Sequence, residues 1–236
     1  MATSKKDRKA VKKKRPVAAR QSREKPNVFL EIEALSTSKP HDRLRLASLA
    51  RKARHQVHRS DALQKLRKRF DKVLIDALPI ALVDRGELVR VEALEIIAEH
   101  ALSSFESASI LALKDKHPLV QDRAVWALAE IKTPTAIKAV KRFLPRAPGK
   151  AGVAAEAFLY TIDWDARRVD RLLAFLQNDD QSVRRASSTE LAYIVRKQDM
   201  ERTIEAIKAA ISREQYRVVK LHHRRQIRYL RSRFAS

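Results

Sequence analysis

The residues best suited to chemistry in this sequence are arginines and lysines spaced along one side of predicted helices. Near the C-terminus six of them recur every three or four residues: Arg213, Arg217, Lys220, Arg224, Arg228 and Arg231. That spacing places them in one stripe along a helix. Acidic residues are nearly absent there, so local ion pairs do not neutralise the stripe. We expect it to bind a phosphate-bearing polyanion; the alternative is a solvated polar cap.

Two other segments share this excess of positive charge. Residues 39–72 contain twelve lysines and arginines against three acidic residues, and residues 1–27 contain eleven against two. The helical stripes in 39–72 comprise Arg45, Lys52, Arg59, Lys65, Lys68, Arg69 and Lys72. We expect them to contact phosphates without reading base sequence. The alternatives are an acidic protein and a plain solvated face. The N-terminal segment is either a generic polyanion-binding tail or a nuclear import signal, and its basic run is Lys12, Lys13, Lys14 and Arg15.

Side chains typical of catalytic or metal sites are sparse. The sequence has no cysteine, and no Ser-His-Asp, paired-carboxylate or glycine-loop arrangement stands out. His55 and His58 lie three residues apart but lack a nearby carboxylate or cysteine pattern, so we expect exposed histidines there rather than a metal site. Trp126 lies off the core stripe of its helix and either packs against a neighbouring repeat or offers a base-stacking surface. We therefore predict no catalytic residue, no metal and no cofactor.

Composition constrains the fold and the location of the protein. With 44% hydrophobic residues and only three glycines among 236 residues, the chain should be almost entirely helical. No apolar run approaches about 18 residues, the length that a membrane span needs, and the N-terminus lacks a signal-peptide core. We expect a cytoplasmic, nucleoid or nuclear protein, neither secreted nor membrane-bound. The formal net charge of +23 lies at both ends, since residues 73–212 hold twenty basic and twenty acidic residues.

A repeat organises the middle of the chain. Residues 84–90 (DRGELVR) align with 115–121 (DKHPLVQ), and the anchoring valines Val89, Val120, Val153 and Val183 step by 31, 33 and 30 residues. Each unit predicts a helix, a tight turn and a second helix. The predicted pairs are 60–82 with 86–101, 103–113 with 117–131, 133–144 with 150–162, 165–177 with 181–197, and 199–211 with 213–233, after a first helix around 46–57. Pro79 should kink or end the helix at 60–82.

Two of these units carry a family resemblance. The runs 111–128 (LALKDKHPLVQDRAVWAL) and 172–186 (LLAFLQNDDQSVRRA) are similar to HEAT repeats in their leucine-rich helix, Asp-containing turn and small apolar residues. The resemblance implies an all-α fold, a right-handed α-solenoid of HEAT-like helix pairs whose second helices line the concave surface. It also implies that turn residues such as Asp84 with Arg90, and Asp180 with Arg184, tie successive turns together. We predict a disordered basic arm at 1–27 and a solenoid at 28–236, with repeats clearest in 84–197 and basic helices at 40–74 and 213–233.

These features favour a non-enzymatic binding scaffold that holds nucleic acid through its phosphates, largely independently of sequence. One alternative is a protein–protein adaptor for an acidic partner. Another is an enzyme similar to the HEAT-like alkylpurine DNA glycosylases, which have similar size and basicity; it would use Trp126 or Trp164 as the aromatic and a nearby aspartate such as Asp165 as the carboxylate. The choice between DNA and RNA, the oligomeric state, and the continuity of the basic ends are left open.

Overall fold

The computed structural model describes residues 27–235, and in this range the protein forms thirteen α-helices and no β-strand. The helices are α1 (Val28–Ala34), α2 (Pro40–Lys52), α3 (Gln56–Arg67), α4 (Lys72–Leu82), α5 (Glu87–Glu99), α6 (Glu106–Ala112), α7 (Pro118–Ile131), α8 (Pro134–Phe143), α9 (Gly149–Asp163), α10 (Ala166–Phe175), α11 (Gln181–Ile194), α12 (Met200–Arg213) and α13 (Arg217–Arg233). The arm predicted at 1–27 lies almost wholly outside the described residues. None of the described helices has the length and apolar character needed to cross a bilayer.

Six consecutive helix pairs, from α2–α3 to α12–α13, stack side by side. We call the second member of each pair its B helix: α3, α5, α7, α9, α11 and α13. Each B helix packs on the B helix of the next pair, so these six helices form one continuous row. The first members pack against their own B helices and lie on the other side of the row. This arrangement is an α-solenoid, and the predicted all-α, HEAT-like architecture is confirmed.

Apolar residues of the B helices form much of the core. The buried apolar residues of α5 are Val89, Ala93, Leu94, Ile96, Ile97 and Ala98, and α9 is buried along nearly its whole length. The row of B helices supplies most of the buried apolar residues of the core. Their burial contributes about 25 cal/mol to the stability of the fold for each Å² of apolar surface removed from water. The core continues through the stack in two adjoining clusters that meet at α9.

The predicted helix at 60–82 is in fact two helices, α3 and α4. The break follows from Arg43, which is 2% exposed and lies in α2. Its guanidinium donates to the carbonyls of Leu66 at 3.2 Å and Arg69 at 2.9 Å, and also to the Asp71 carboxylate. Asp71 in turn accepts the N–H of Leu74 and so caps α4. Pro79 does not end α4, which continues to Leu82.

Arginine–carboxylate pairs link the turns of successive repeats. Each arginine sits in the first turns of a B helix and donates two hydrogen bonds of 2.7–2.9 Å to a carboxylate one repeat later: Arg59 to Asp84, Arg90 to Asp115, and Arg184 to Glu214. Each also donates to a backbone carbonyl of the turn that precedes its own helix. Burial raises the pKa of the Asp84 carboxyl, but hydrogen bonds from Arg59 and from the Gly86 N–H hold it below its usual range.

Candidate nucleic-acid interface

The last helix, α13, presents a basic side to solvent. Its opposite side is buried through Val219, His223, Gln226, Ile227 and Leu230. Most of the predicted stripe is exposed on the free side as Arg217, Arg224, Arg228 and Arg231, and Lys220 is half-buried at its edge. The buried side fixes the orientation of the helix, so the arginines have a defined place on the surface.

Arg213 does not belong to this helix. It is the last residue of α12, and its guanidinium donates to the side-chain oxygen of Gln177 at 2.8 Å. The turn that separates the two helices is held by Glu214, whose carboxylate accepts the N–H groups of Gln215 and Tyr216 at 3.0 Å. The predicted start of the last helix at residue 213 is therefore corrected to 217. Arg213 remains exposed next to the stripe.

The exposed arginines of α13 form no ion pair with an acidic residue within 27–235. The helix itself contains no aspartate or glutamate. In the part of the chain that the structure describes, no ion pair is formed by Arg217, Arg224, Arg225, Arg228 or Arg231. Arg225 lies on a different side of the helix from the predicted stripe, which is why the four-and-three spacing did not identify it. The result is an unneutralised basic surface on a rigid helix.

At the other end of the molecule, three residues of the predicted stripes form ion pairs or hydrogen bonds with other parts of the fold. Arg59 is 3% exposed and paired with Asp84, so it cannot reach a ligand, and its assignment as a phosphate contact is corrected. The Lys65 ammonium donates to the carbonyls of Ile32 and Glu33 at 2.7 and 2.6 Å and closes the end of α1. Arg45 is half-exposed and pairs with Glu31.

The other four residues of the predicted stripes at this end stay accessible. They are exposed at the ends of α2, α3 and α4: Lys52, Lys68, Arg69 and Lys72. Lys72 pairs with Asp76 one turn later, but its side chain is 87% exposed, and such a surface pair is weak. Lys12, Lys13, Lys14 and Arg15 lie outside the described residues. The two basic regions stand at opposite ends of the B-helix row, five steps or about 40–50 Å apart along the row at 8–10 Å per step.

Between the two ends the B helices line a groove of 700 Å³ that carries more acid than base. We call it the central groove; its charged residues are Glu95, Asp122, Glu130 and Glu190 against Arg123 and Lys132. Burial and the charge of Asp122 raise the pKa of Glu190 to about 7. Burial also raises the pKa of the Asp122 carboxyl. The charge count of residues 73–212 did not show this groove, because basic residues such as Lys138, Lys141 and Arg142 lie on α8, outside the B-helix row.

The two tryptophans have different environments. Trp126 is 37% exposed in the central groove, with the Arg123 guanidinium 5.6 Å from its ring centre. Trp164 ends α9 in the left-handed conformation and packs edge-on against Tyr160, 5.2 Å between centroids. Asp165 caps α10 by accepting the N–H of Arg167. Trp164 and Asp165 therefore have structural roles at a helix junction.

No metal site is formed by the residues that the structure describes. The rings of His55 and His58 are in edge contact at 5.7 Å, with no carboxylate completing a ligand set. The interpretation of these histidines as surface residues agrees with their partly exposed positions.

No family model and no curated protein matches the sequence. The structure is similar to a chain of the complex of CpcE and CpcF of phycocyanin lyase from Nostoc sp. PCC7120, with a TM-score of 0.56, 16% identity, and coverage of 97% of this chain and 100% of that chain. The structure is also similar to the archaeal HEAT-like repeats protein from Thermococcus onnurineus NA1, with a TM-score of 0.46, 14% identity, and coverage of 88% of this chain and 94% of that chain. A designed armadillo repeat protein has a TM-score of 0.42 and 16% identity, with coverage of 86% of this chain and 99% of that chain. At these identities the likeness concerns the fold alone.

Proposed function

We propose that the protein is a non-enzymatic binding scaffold that holds nucleic acid through phosphate contacts, largely without regard to base sequence. The proposal rests on one observation: the exposed arginines of α13 form no ion pair with an acidic residue among the described residues. Guanidinium groups suit phosphates because their planar donors can bind two oxygens at once. From Arg217 to Arg231 the stripe extends about 21 Å at 1.5 Å per residue, enough for several phosphates in succession.

The middle of the solenoid supports this proposal as a spacer. The acidic central groove repels phosphates, so a polyanion is favoured at the two ends and disfavoured between them. At the N-terminal end the accessible group is Lys52, Lys68, Arg69 and Lys72. The proposed mechanism is contact at two regions that are oriented by a stack of helix pairs.

Binding to a labelled duplex and to a labelled single strand, measured by fluorescence anisotropy over a series of salt concentrations, tests the proposal. The logarithm of the affinity should fall linearly with the logarithm of the salt concentration, with a slope of about −0.9 for each phosphate contacted on duplex DNA. Affinity that stays constant between low and moderate salt contradicts phosphate binding.

A charge-matched pair of variants locates the interface. Replacing Arg217, Arg224 and Arg228 with alanine should weaken binding by about tenfold or more and make the salt slope shallower. The control replaces Lys138, Lys141 and Arg142 of α8 with alanine, which removes the same charge from exposed positions elsewhere. An equal loss in both variants would show that only net charge matters.

The first alternative is an adaptor for an acidic protein, which could use the same arginines. It predicts a complex with one defined acidic protein that survives nuclease treatment and is not displaced by excess nucleic acid. The scaffold proposal predicts displacement.

The second alternative is an alkylpurine DNA glycosylase. The feature that favours it is the central groove, where Trp126 lies with Asp122 and with a glutamate whose pKa is raised to about 7, as acid–base chemistry requires. The excess of acidic groups there opposes approach of a DNA backbone. Release of alkylated purine that is lost in Glu190→Gln would support the enzyme, and absence of release would exclude it.

A further inference from the structure

Two exposed tyrosine rings are in tilted contact where α11 meets α13. The ring centroids of Tyr193 and Tyr229 are 4.8 Å apart, and the ring planes are inclined by 43°. Their exposed fractions are 55% and 38%, so a large part of the pair faces solvent. Neither hydroxyl makes a hydrogen bond to another described residue. The pair therefore leaves aromatic surface accessible to a further planar ring.

Two arginines lie on the same helices as the tyrosine pair. Arg225 precedes Tyr229 by one turn of α13, or about 6 Å, and Arg185 precedes Tyr193 by about 12 Å along α11. Both arginines lie close enough to His222 for their positive charges to act on it: burial lowers the pKa of His222, and the charges of Arg185 and Arg225 lower it further, against a hydrogen bond with the Arg185 backbone that raises it. Both arginines are exposed, and neither pairs with an acidic residue within 27–235.

The same patch has a fixed framework. The His222 ring nitrogen is 2.9 Å from the Thr189 hydroxyl, and the buried His223 ring is 2.9 Å from the Ser188 hydroxyl. These contacts link α13 to α11 at Ser188 and Thr189, which lie between Arg185 and Tyr193 in the sequence. The arginines and tyrosines are therefore presented on a surface whose backbone is held in register.

From this geometry we infer that the nucleic acid of the proposed function is single-stranded: Tyr193 and Tyr229 stack against its unpaired bases while Arg185 and Arg225 bind the adjoining phosphates. The inference rests on the proposed function and specifies its ligand. A duplex keeps its bases stacked inside and offers the tyrosines only a backbone, whereas a single strand offers base faces and phosphates alternately. Stacking tolerates every base, in agreement with binding that does not read sequence.

The competing explanation is that the tyrosines only pack α13 against α11. Replacement of both tyrosines by leucine distinguishes the packing role from the stacking role, because leucine keeps apolar bulk but offers no aromatic face. Replacement of both by phenylalanine keeps the stacking surface. The matched control is Tyr216→Leu, since Tyr216 is also 55% exposed but lies before α13, outside the pair.

The experiment measures the affinity of the full chain for a 20-nucleotide DNA strand containing 2-aminopurine and for the duplex of the same sequence. Fluorescence of 2-aminopurine reports base stacking directly. The double leucine variant should bind the single strand about 5- to 100-fold more weakly and lose the change in fluorescence, with duplex affinity within twofold of the wild type. The double phenylalanine variant and Tyr216→Leu should behave like the wild type.

The outcomes distinguish this inference from the function on which it rests. If the wild type binds single strand and duplex alike, and the leucine variant loses nothing, the stacking inference is wrong and the phosphate-binding scaffold stands. Equal losses for both ligands in the leucine variant show a packing role and also overturn it. If the wild type binds neither ligand, the proposed function itself fails.

Discussion

Glu190 shows how a single residue can oppose the stability of the fold. Burial and the nearby Asp122 raise its pKa to about 7, above its ordinary value of 4.5. Because the folded state disfavours the carboxylate, Glu190 costs free energy above pH 7, and the cost disappears as the pH falls below 4.5. Glu190→Gln should therefore raise the free energy of unfolding by about 1–2 kcal/mol at pH 8, a figure reduced for partial exposure. Urea titrations at pH 8 and pH 4 check this, and destabilisation at pH 8 would contradict it.

His223 has the opposite kind of pH dependence. The ring is fully buried, its Nδ1 lies 2.9 Å from the Ser188 hydroxyl, and burial followed by the charge of His222 lowers its pKa to about 4. The unfolded chain binds a proton near pH 6.5 and the folded chain does not, so stability contributed by the neutral ring is lost as the pH falls from 6.5 to 4. The loss should be on the order of 2–3 kcal/mol.

A variant isolates this contribution of His223. His223→Gln keeps a polar partner for Ser188 but does not titrate. Its free energy of unfolding should depend less steeply on pH between 6.5 and 4 than that of the wild type, as measured by urea denaturation at several pH values. Identical pH profiles for the two proteins would show that the buried ring does not couple protons to folding.

At the scale of elements, the helix pairs could be predicted because their signals are local. Apolar spacing and repeated turns identified the pairs from α6–α7 to α12–α13 to within a few residues. The break between α3 and α4 was missed because it depends on Arg43, which reaches across from α2 to the end of α3. A contact between side chains on different helices leaves no periodic pattern in the sequence.

The same reason explains the misassigned arginine. Arg59 continues the seven-residue spacing of Arg45 and Lys52, yet its partner Asp84 lies 25 residues away in the next turn. Spacing alone cannot separate an arginine that faces solvent from one that links two repeats. Tyr193 and Tyr229 were missed as a pair for a related reason, since 36 residues of sequence separate rings that are in contact.

The turn-linking arginines should matter for stability rather than for binding. Arg59→Ala would leave the Asp84 carboxylate, 9% exposed, without its cation and should cost about 3–5 kcal/mol of unfolding free energy. Arg45→Ala removes a pair whose arginine is 49% exposed and should cost less than about 1 kcal/mol. Thermal or urea unfolding of the two variants gives the comparison. Equal costs, or weaker nucleic-acid binding by folded Arg59→Ala, would contradict this division of roles.

For the whole molecule, the net charge of the middle segment conceals a separation in space. Residues 73–212 are neutral in sum, but acidic residues gather in the central groove while Lys138, Lys141 and Arg142 lie outside the B-helix row on α8. This sorting follows from which face of each helix packs inward, and it appears only when the helices are assembled. The basic ends are therefore divided by an acidic groove along the row.

That division predicts a dependence of binding on ligand length. A short strand of about 8 nucleotides can occupy only one of the two basic regions. A strand of about 40 nucleotides can span the distance between the regions, which is about 40–50 Å, and gains affinity from contacts with both. Replacing Lys52, Lys68, Arg69 and Lys72 with alanine should weaken binding of the long strand by about tenfold or more, because the second contact is then lost. Binding of the short strand to α13 should change by less than about twofold.

Fluorescence anisotropy with the two strands, at one fixed salt concentration, decides the matter. The α13 variant lacking Arg217, Arg224 and Arg228 serves as the comparison, since it should weaken both strands. If the N-terminal variant weakens the short strand as much as the long one, the two basic regions act on one ligand segment and the solenoid is not a spacer. If it weakens only the long strand, the stack of helix pairs sets the distance between two contacts, and that distance is the property that the repeats provide.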